Sequence, residues 1–261
     1  MKIIIALLFW LGFSVLPAQS QEQSLSDEEF AMEFTINNTI YTVYHEVGHM
    51  LIGELGIPVL AREEDAADNL ATLLLLSAET READNALIDA VDAYFLSEEA
   101  NIDSPIEDAE LYGVHSLDAQ RAFQIVCLAV GADPEIFSEI AESAGVDTDR
   151  QDDCAFDFQQ ASDSWNAVLE PHIHDGSFTP DIEIAYDRTS TYAAVADMLK
   201  SSKILELVAT NILTNYSLPR PVALRASECG VENAFYDPEI GQITMCYELA
   251  ALYYTQGLSP D

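Results

Sequence analysis

Two histidines, His45 and His49, stand four residues apart in the stretch YHEVGHM, and Glu46 follows the first of them. Side chains with this spacing leave one face of a helix, so both imidazoles can reach a single metal ion. Zinc binds imidazole nitrogen readily, and a hydrolytic site keeps a third protein ligand and an open position for water. Glu46 lies one residue further round the helix, where it can take a proton from that water. The spacing predicts a zinc-dependent hydrolase with Glu46 as general base.

A run of carboxylates, REEDAAD (62–68), follows the histidines and starts a second helix. Glu64 and Asp68 are again four residues apart. We expect Glu64 to be the third zinc ligand and Asp68 to accept the outer N–H of a ligating histidine, fixing its tautomer. Glu63 and Asp65 are rivals for the third position, and Asp65 is the stronger because it pairs with Asp68 at three residues. The alternative is an acid-rich helix start with no metal.

The other histidines give weaker signals. His115, in the stretch HSLD, lies in a loop that can reach the cleft, where a hydrogen-bond donor would stabilise negative charge on a carbonyl oxygen. His115 could equally cap the next helix or pack locally. Pro171 and Asp175 flank His172 and His174, which indicates a solvated helix end rather than a second metal site.

The elements that must position these residues follow from periodicity. Apolar residues recur at helical spacing from Phe30 to Leu55, and Gly56 and Pro58 then end the helix. Two glycines within that helix predict close approach by another segment. Further helices are predicted from Glu63 onward and over 82–97, 117–127, 134–144, 150–170 and 191–216, with Ser116 as N-cap of the helix over 117–127. A strand is predicted over 180–187, and a two-stranded hairpin that turns at 237–241 is predicted after Pro221.

Residues 1–20 have the features of a secretory signal peptide: one lysine, an apolar run over 3–13, and a small-residue end at Ser20. The apolar run is too short to span a bilayer as a mature helix, so we expect a periplasmic or secreted protein with no membrane insertion after cleavage. An acidic leader (21–29) precedes a single domain (30–261), helical over 30–175 and mixed over 176–261. The formal net charge of −36 argues against nucleic acid and anionic lipid as partners.

Four cysteines in an exported chain predict two disulfides. We favour Cys127–Cys154 and Cys229–Cys246, because each pair belongs to one supersecondary unit. A zinc site built from all four is disfavoured, since no C-x-x-C spacing is present.

The stretch HEVGHMLIGELGIPVLAREEDAADNLATLLLL resembles a bacterial family of exported metallopeptidases catalogued as a domain of unknown function. The segments HSLDAQRAF-x3-C, SW…PH (165–172) and ECG-x2-NAFYDP…CYEL resemble it as well. The resemblance covers about 30–250 and implies a gluzincin-like zinc site with His45, His49 and Glu64 as ligands and Glu46 as base. Val114 stands where an acidic residue often precedes the histidine of HSLD, which leaves a role for that neighbour in doubt.

The fold expected is a helix-rich, zincin-like α+β domain with an H-E-x-x-H helix, a second E-x-x-x-D helix and a small antiparallel sheet or hairpin near the C-terminus. In helix-based zinc peptidases the substrate usually adds to a sheet edge above the metal, and residues 233–247 have the alternation to supply that edge. A peptide or protein is the expected substrate. The alternatives are an exported binding or scaffold protein with structural zinc and no turnover, and a zinc amidase acting on cell-wall peptides.

Overall fold

A computed structural model describes residues 25–100, 112–176 and 180–259. The predicted signal peptide lies outside these ranges, as do residues 21–24 of the predicted leader. The first helix begins at Asp27, so the last leader residues belong to it. Ser26 caps this helix: its hydroxyl accepts the N–H of Glu29, whose carboxylate accepts the N–H of Ser26.

Most described residues lie in helices, as the periodicity predicted. The α-helices, in chain order, are α1 (Asp27–Leu55), α2 (Glu63–Leu76), α3 (Arg81–Ala100), α4 (Asp118–Ala132), α5 (Pro134–Ser143), α6 (Thr148–Leu169), α7 (Ala193–Ser202), α8 (Ile204–Asn215) and α9 (Tyr247–Leu258). A 3₁₀ turn over Glu170–His172 follows α6.

Helix α1 forms the centre of the core. It packs against α2, α3 and α9 and against the sheet, and residues such as Val43, Val47, Met50 and Leu51 are almost fully buried. Gly257 of α9 touches it so closely that a Cβ there would lie 2.8 Å from Cα of Ala31. His45 and Glu46 are therefore carried by a buried part of α1.

Four strands form one sheet: β1 (Ile182–Tyr186), β2 (Val222–Ser227), β3 (Ala234–Asp237) and β4 (Gln242–Cys246). Their order is β1-β2-β4-β3, with β1–β2 and β2–β4 parallel and β3–β4 antiparallel. The predicted hairpin is β3–β4, with its turn before Gly241. The prediction of an antiparallel sheet was wrong: the sheet is mixed, because β2 inserts between β1 and β4, and three strands follow Pro221 instead of two.

Two local predictions also need correction. The single helix predicted over 191–216 is two helices, α7 and α8, because the backbone of Lys203 turns left-handed with φ of 56°. Ser116 does not cap α4, which begins at Asp118. The Ser116 hydroxyl instead donates to Asp65 at 2.6 Å and so joins the loop before α4 to α2.

Both favoured disulfides are confirmed. Cys127–Cys154 joins α4 to α6, and Cys229–Cys246 ties the segment before β3 to the end of β4. Gly131 lies beside the first bridge, where a Cβ would come 2.2 Å from the carbonyl oxygen of Cys154. None of the described helices combines the length and apolarity that a membrane crossing requires.

Candidate metal centre

Helices α1 and α2 cross where Gly48 meets Ala67, and this contact brings the two motifs together. Nε2 of His45 and Nε2 of His49 lie 3.2 Å apart. Oε2 of Glu64 lies 3.3 Å from the first nitrogen and 3.2 Å from the second. Three donor atoms from two helices thus surround one point.

The outer nitrogens of both histidines face carboxylates. Nδ1 of His45 lies 2.7 Å from Oδ1 of Asp68, and Nδ1 of His49 lies 2.9 Å from Oε1 of Glu63. A carboxylate oxygen accepts hydrogen bonds, so each Nδ1 carries a proton. In its neutral form, which a metal ligand requires, each imidazole then presents its Nε2 lone pair to the shared point.

The three carboxylates at the start of α2 face different partners. Glu64 reaches both Nε2 atoms, as described above. Glu63 reaches only the outer side of His49, and its side chain is 54% exposed. Asp65 faces α4, where its carboxylate accepts the hydroxyl of Ser116 and its carbonyl accepts the amide of Gln124.

The structure also brings His115 to this point. Its Nε2 lies 2.9 Å from Oε2 of Glu64, although the side chain is 52% exposed. The donor atoms of His45, Glu64 and His115 all lie within 4.8 Å of one another. Arg62 holds the loop in place by donating to the carbonyl of His115 and the hydroxyl of Ser116. His172 and His174 are not part of the described lining of the cavity around these groups.

Behind His45 lies a polar network that the sequence analysis did not identify. Arg121 of α4 donates two hydrogen bonds to Asp68, and Tyr41 donates a third. The guanidinium of Arg121 lies over the ring of Tyr94, 4.5 Å from its centroid. Tyr41 could have been found from its position four residues before His45. Arg121 gave no such signal, because its partner Asp68 lies 53 residues away in the sequence.

The charges in this centre shift the titration of its groups. Burial lowers the pKa of His45, but the carboxylates of Asp68 and Glu64 outweigh burial and raise that pKa to about 9. Burial also lowers the pKa of His49, but the carboxylates of Glu64 and Glu63 outweigh burial, so that pKa is raised as well. Burial raises the pKa of Glu64, but hydrogen bonds from the histidines reverse this and hold it far below its usual range. The centre therefore favours positive charge next to Glu64.

Glu46 occupies the wall beside this centre. It is 5% exposed and lines a cavity of 990 Å³ together with His45 and His49. Burial raises the pKa of Glu46, while the neighbouring histidines and the backbone N–H of Tyr236 lower it. Tyr236 belongs to β3 and lines the same cavity, so the edge of the sheet lies beside the H-E-x-x-H helix.

The spacing of the three donor atoms suits zinc. In a tetrahedral site with zinc–nitrogen and zinc–oxygen bonds of about 2.0–2.1 Å, neighbouring ligand atoms are about 3.3 Å apart. The separations among His45, His49 and Glu64 are 3.2 to 3.3 Å. Two imidazole nitrogens and one carboxylate oxygen are also a ligand set that zinc accepts in hydrolytic sites. The residues present fit the ion.

The H-E-x-x-H helix, the acidic helix that crosses it and the edge strand of the small sheet thus line one cavity. A family model described as "Putative metallopeptidase" (DUF4344) matches residues 10–169 and 186–257. The chain belongs to this family. No curated protein and no solved structure matches the chain.

Proposed function

We propose that this protein is an exported, zinc-dependent metallopeptidase with His45, His49 and Glu64 as metal ligands. The observation that carries the proposal is the convergence of their three donor atoms at tetrahedral spacing inside a large cavity. Membership of a metallopeptidase family supports the reaction class. The signal-like N-terminus and the two disulfides support export.

Zinc bound here would polarise the scissile carbonyl and the attacking water. Glu46 takes the proton of that water and returns it to the leaving amine, a general acid–base role. Its burial suits a base with a raised pKa, and it lies beside both histidines. His115 donates a hydrogen bond to the carbonyl oxygen as negative charge develops there. Asp68 orients His45 through its outer nitrogen.

The substrate backbone would lie along β3. The register of the hairpin directs the N–H and C=O groups of Phe235 and Asp237 toward β4, so those of Ala234 and Tyr236 face away from it. The N–H of Tyr236 lowers the pKa of Glu46 and so faces it, while residues 233–236 line the cavity. An extended peptide can therefore pair with the carbonyl groups of Ala234 and Tyr236 next to the base.

The test compares wild type with Glu46→Gln. Both should bind one zinc ion per chain, and only wild type should cleave members of a diverse peptide library. Glu206→Gln is the matched control, since Glu206 bonds to Tyr186 on the far strand of the sheet. Cleavage that survives in Glu46→Gln would overturn the assignment of the base.

The library should include cell-wall peptides, because a zinc amidase would use the same ligands and the same base. Cleavage restricted to those peptides would favour the amidase. Zinc binding without cleavage of any member would favour a binding or scaffold protein with structural zinc.

A further inference from the structure

We propose that Arg121 is a positioning residue for the metal centre: it holds Asp68 in the one orientation that makes His45 present Nε2 to the ion. The proposal rests on the zinc centre proposed above and adds a residue from a third helix to it. It concerns metal affinity, so it can be tested without knowing the substrate.

The contact between Arg121 and Asp68 has the two-pronged geometry that fixes a carboxylate in its plane. Nε donates to Oδ2 at 2.7 Å, and a terminal NH2 donates to Oδ1 at 2.8 Å. The Arg121 side chain is 12% exposed and that of Asp68 is 1% exposed. Parallel hydrogen bonds of this kind restrict rotation of the carboxylate, which a single lysine ammonium would not do.

Oδ1 of Asp68 is the atom through which Arg121 acts on His45. It accepts hydrogen bonds from Arg121, from the hydroxyl of Tyr41 at 3.1 Å and from Nδ1 of His45 at 2.7 Å. Since a carboxylate held by arginine can only accept, the proton of His45 must be on Nδ1. The lone pair of Nε2 is then directed at His49 and Glu64, as a metal ligand requires.

Stability alone does not explain this arrangement. A buried ion pair is often no better for stability than apolar side chains of similar volume, because both charges lose their hydration. Here the pair lies directly behind a candidate ligand, and the Tyr94 ring supports the guanidinium from its face. His49 provides a contrast within the same site, because the side chain of its outer partner, Glu63, is 54% exposed.

Arg121 also lines the cavity, so it could instead contact the substrate directly. The two roles predict different measurements. A substrate contact affects KM and leaves zinc affinity unchanged. A positioning role changes zinc affinity whether or not a substrate is present, and it alters the electronic surroundings of the metal.

The experiment measures the zinc dissociation constant of the full chain by competition with a chelator, in wild type, Arg121→Met and Arg121→Lys. Arg225→Met is the matched control, because Arg225 forms the same two-pronged contact with Asp187 on the sheet, away from the metal centre. Each variant is also loaded with Co²⁺ for absorption spectroscopy, and its unfolding is followed with and without zinc.

We expect Arg121→Met to weaken zinc binding by up to about 10- to 100-fold, the range for a lost outer partner of a metal ligand, because Asp68 would no longer be held toward His45. Arg121→Lys should restore part of the affinity, Arg225→Met should match wild type, and the cobalt spectrum should change only in the Arg121 variants. If Arg121→Met does not fold, the lysine variant carries the test, with a smaller loss of affinity expected.

Three outcomes would show whether the role of Arg121, the metal centre or the proposed reaction is wrong. Unchanged zinc affinity in both Arg121 variants, with equal destabilisation of metal-free and loaded protein, would make Arg121 structural and overturn the inference. Wild type that fails to bind zinc would overturn the metal centre and the inference together. Zinc binding that depends on Arg121 in a protein without peptidase activity would support the inference and overturn only the proposed reaction.

Discussion

A Cβ atom on Gly48 would lie 2.9 Å from Cα of Ala67, so α1 and α2 cross with no space for a side chain between them. Gly48 is the residue just before His49, and Ala67 is the residue just before Asp68. The crossing point therefore lies within the metal centre itself. A helix-weakening glycine at this position is explained by the contact that brings Glu64 to the histidines.

The substitution Gly48→Ala should consequently damage the centre. We expect it to force the helices apart, to destabilise the fold by about 1–3 kcal/mol as overpacking does, and to weaken zinc binding. Unfolding in urea and chelator competition would measure the two effects.

Gly53→Ala is the matched control on the same helix. A Cβ at Gly53 meets Tyr236 at 3.4 Å, which is an ordinary contact. This variant should keep wild-type zinc affinity and gain up to about 1 kcal/mol from better helix propensity. Equal zinc affinity in Gly48→Ala and Gly53→Ala would show that the close crossing is not needed for the centre.

Much of this arrangement could be predicted from local spacing. Residues four apart share a helix face, which was enough to place His45 with His49 and Glu64 with Asp68, and the turn after α1 is short enough to bring the helices together. Arg121 could not be predicted in the same way, because its partner lies 53 residues away and no periodicity connects them. Alternation along a strand likewise identifies β2 but not its neighbours, which is why its parallel pairing between β1 and β4 was missed.

His115→Ala tests the role of the third histidine around Glu64. If His115 acts as a donor to the carbonyl oxygen, kcat should fall about 10²- to 10³-fold, as it does when an oxyanion donor is removed. Zinc affinity should stay close to that of wild type. His172→Ala serves as the control histidine. A large loss of zinc affinity in His115→Ala would instead make His115 a fourth ligand, and the site would then be closed in the way structural zinc sites are.

The position of β3 over the cavity depends on Glu54 of α1. Its carboxylate accepts hydrogen bonds from the Tyr236 hydroxyl and from Arg220, which also donates to the carbonyl of Pro238 in the β3–β4 turn. Tyr236→Phe removes one of these bonds to a charged group. We expect it to raise KM for peptides several-fold, with unchanged zinc affinity, because the strand edge is less firmly held.

Tyr186→Phe provides the comparison for that variant. Tyr186 belongs to the same sheet and donates to Glu206 at 2.8 Å, away from the cavity. Both variants should lose about 1.5–3 kcal/mol of stability with their hydrogen bonds to carboxylates. Only Tyr236→Phe should change KM. The same KM in both would argue that β3 does not bind the substrate.

Asp89 of α3 gives the protein a pH-dependent stability that is separate from the metal centre. The pKa of Asp89 is raised to about 6, mainly by burial. The amide of Asn37, which donates to Asp89 at 2.7 Å, lowers that pKa, and the charges of Asp92 and Glu33 raise it. The folded state therefore holds a proton on Asp89 that the unfolded chain releases near pH 4. The contribution of Asp89 to stability is fully present below pH 4 and is lost as pH rises through about 6.

The variant Asp89→Asn removes this loss of stability at high pH, and it keeps an oxygen that can accept the hydrogen bond from the Asn37 amide. It should be more stable than wild type by about 1–2 kcal/mol at pH 7.5. The size of the pKa shift sets an upper bound of about 3 kcal/mol on this gain. The difference should shrink toward pH 4, where wild-type Asp89 is protonated. Urea unfolding at both pH values measures it. Asp152→Asn, at an exposed position on α6, removes the same charge from a chain of net charge −36. An equal gain in that variant would assign the effect to general repulsion among the 46 acidic residues rather than to the burial of Asp89.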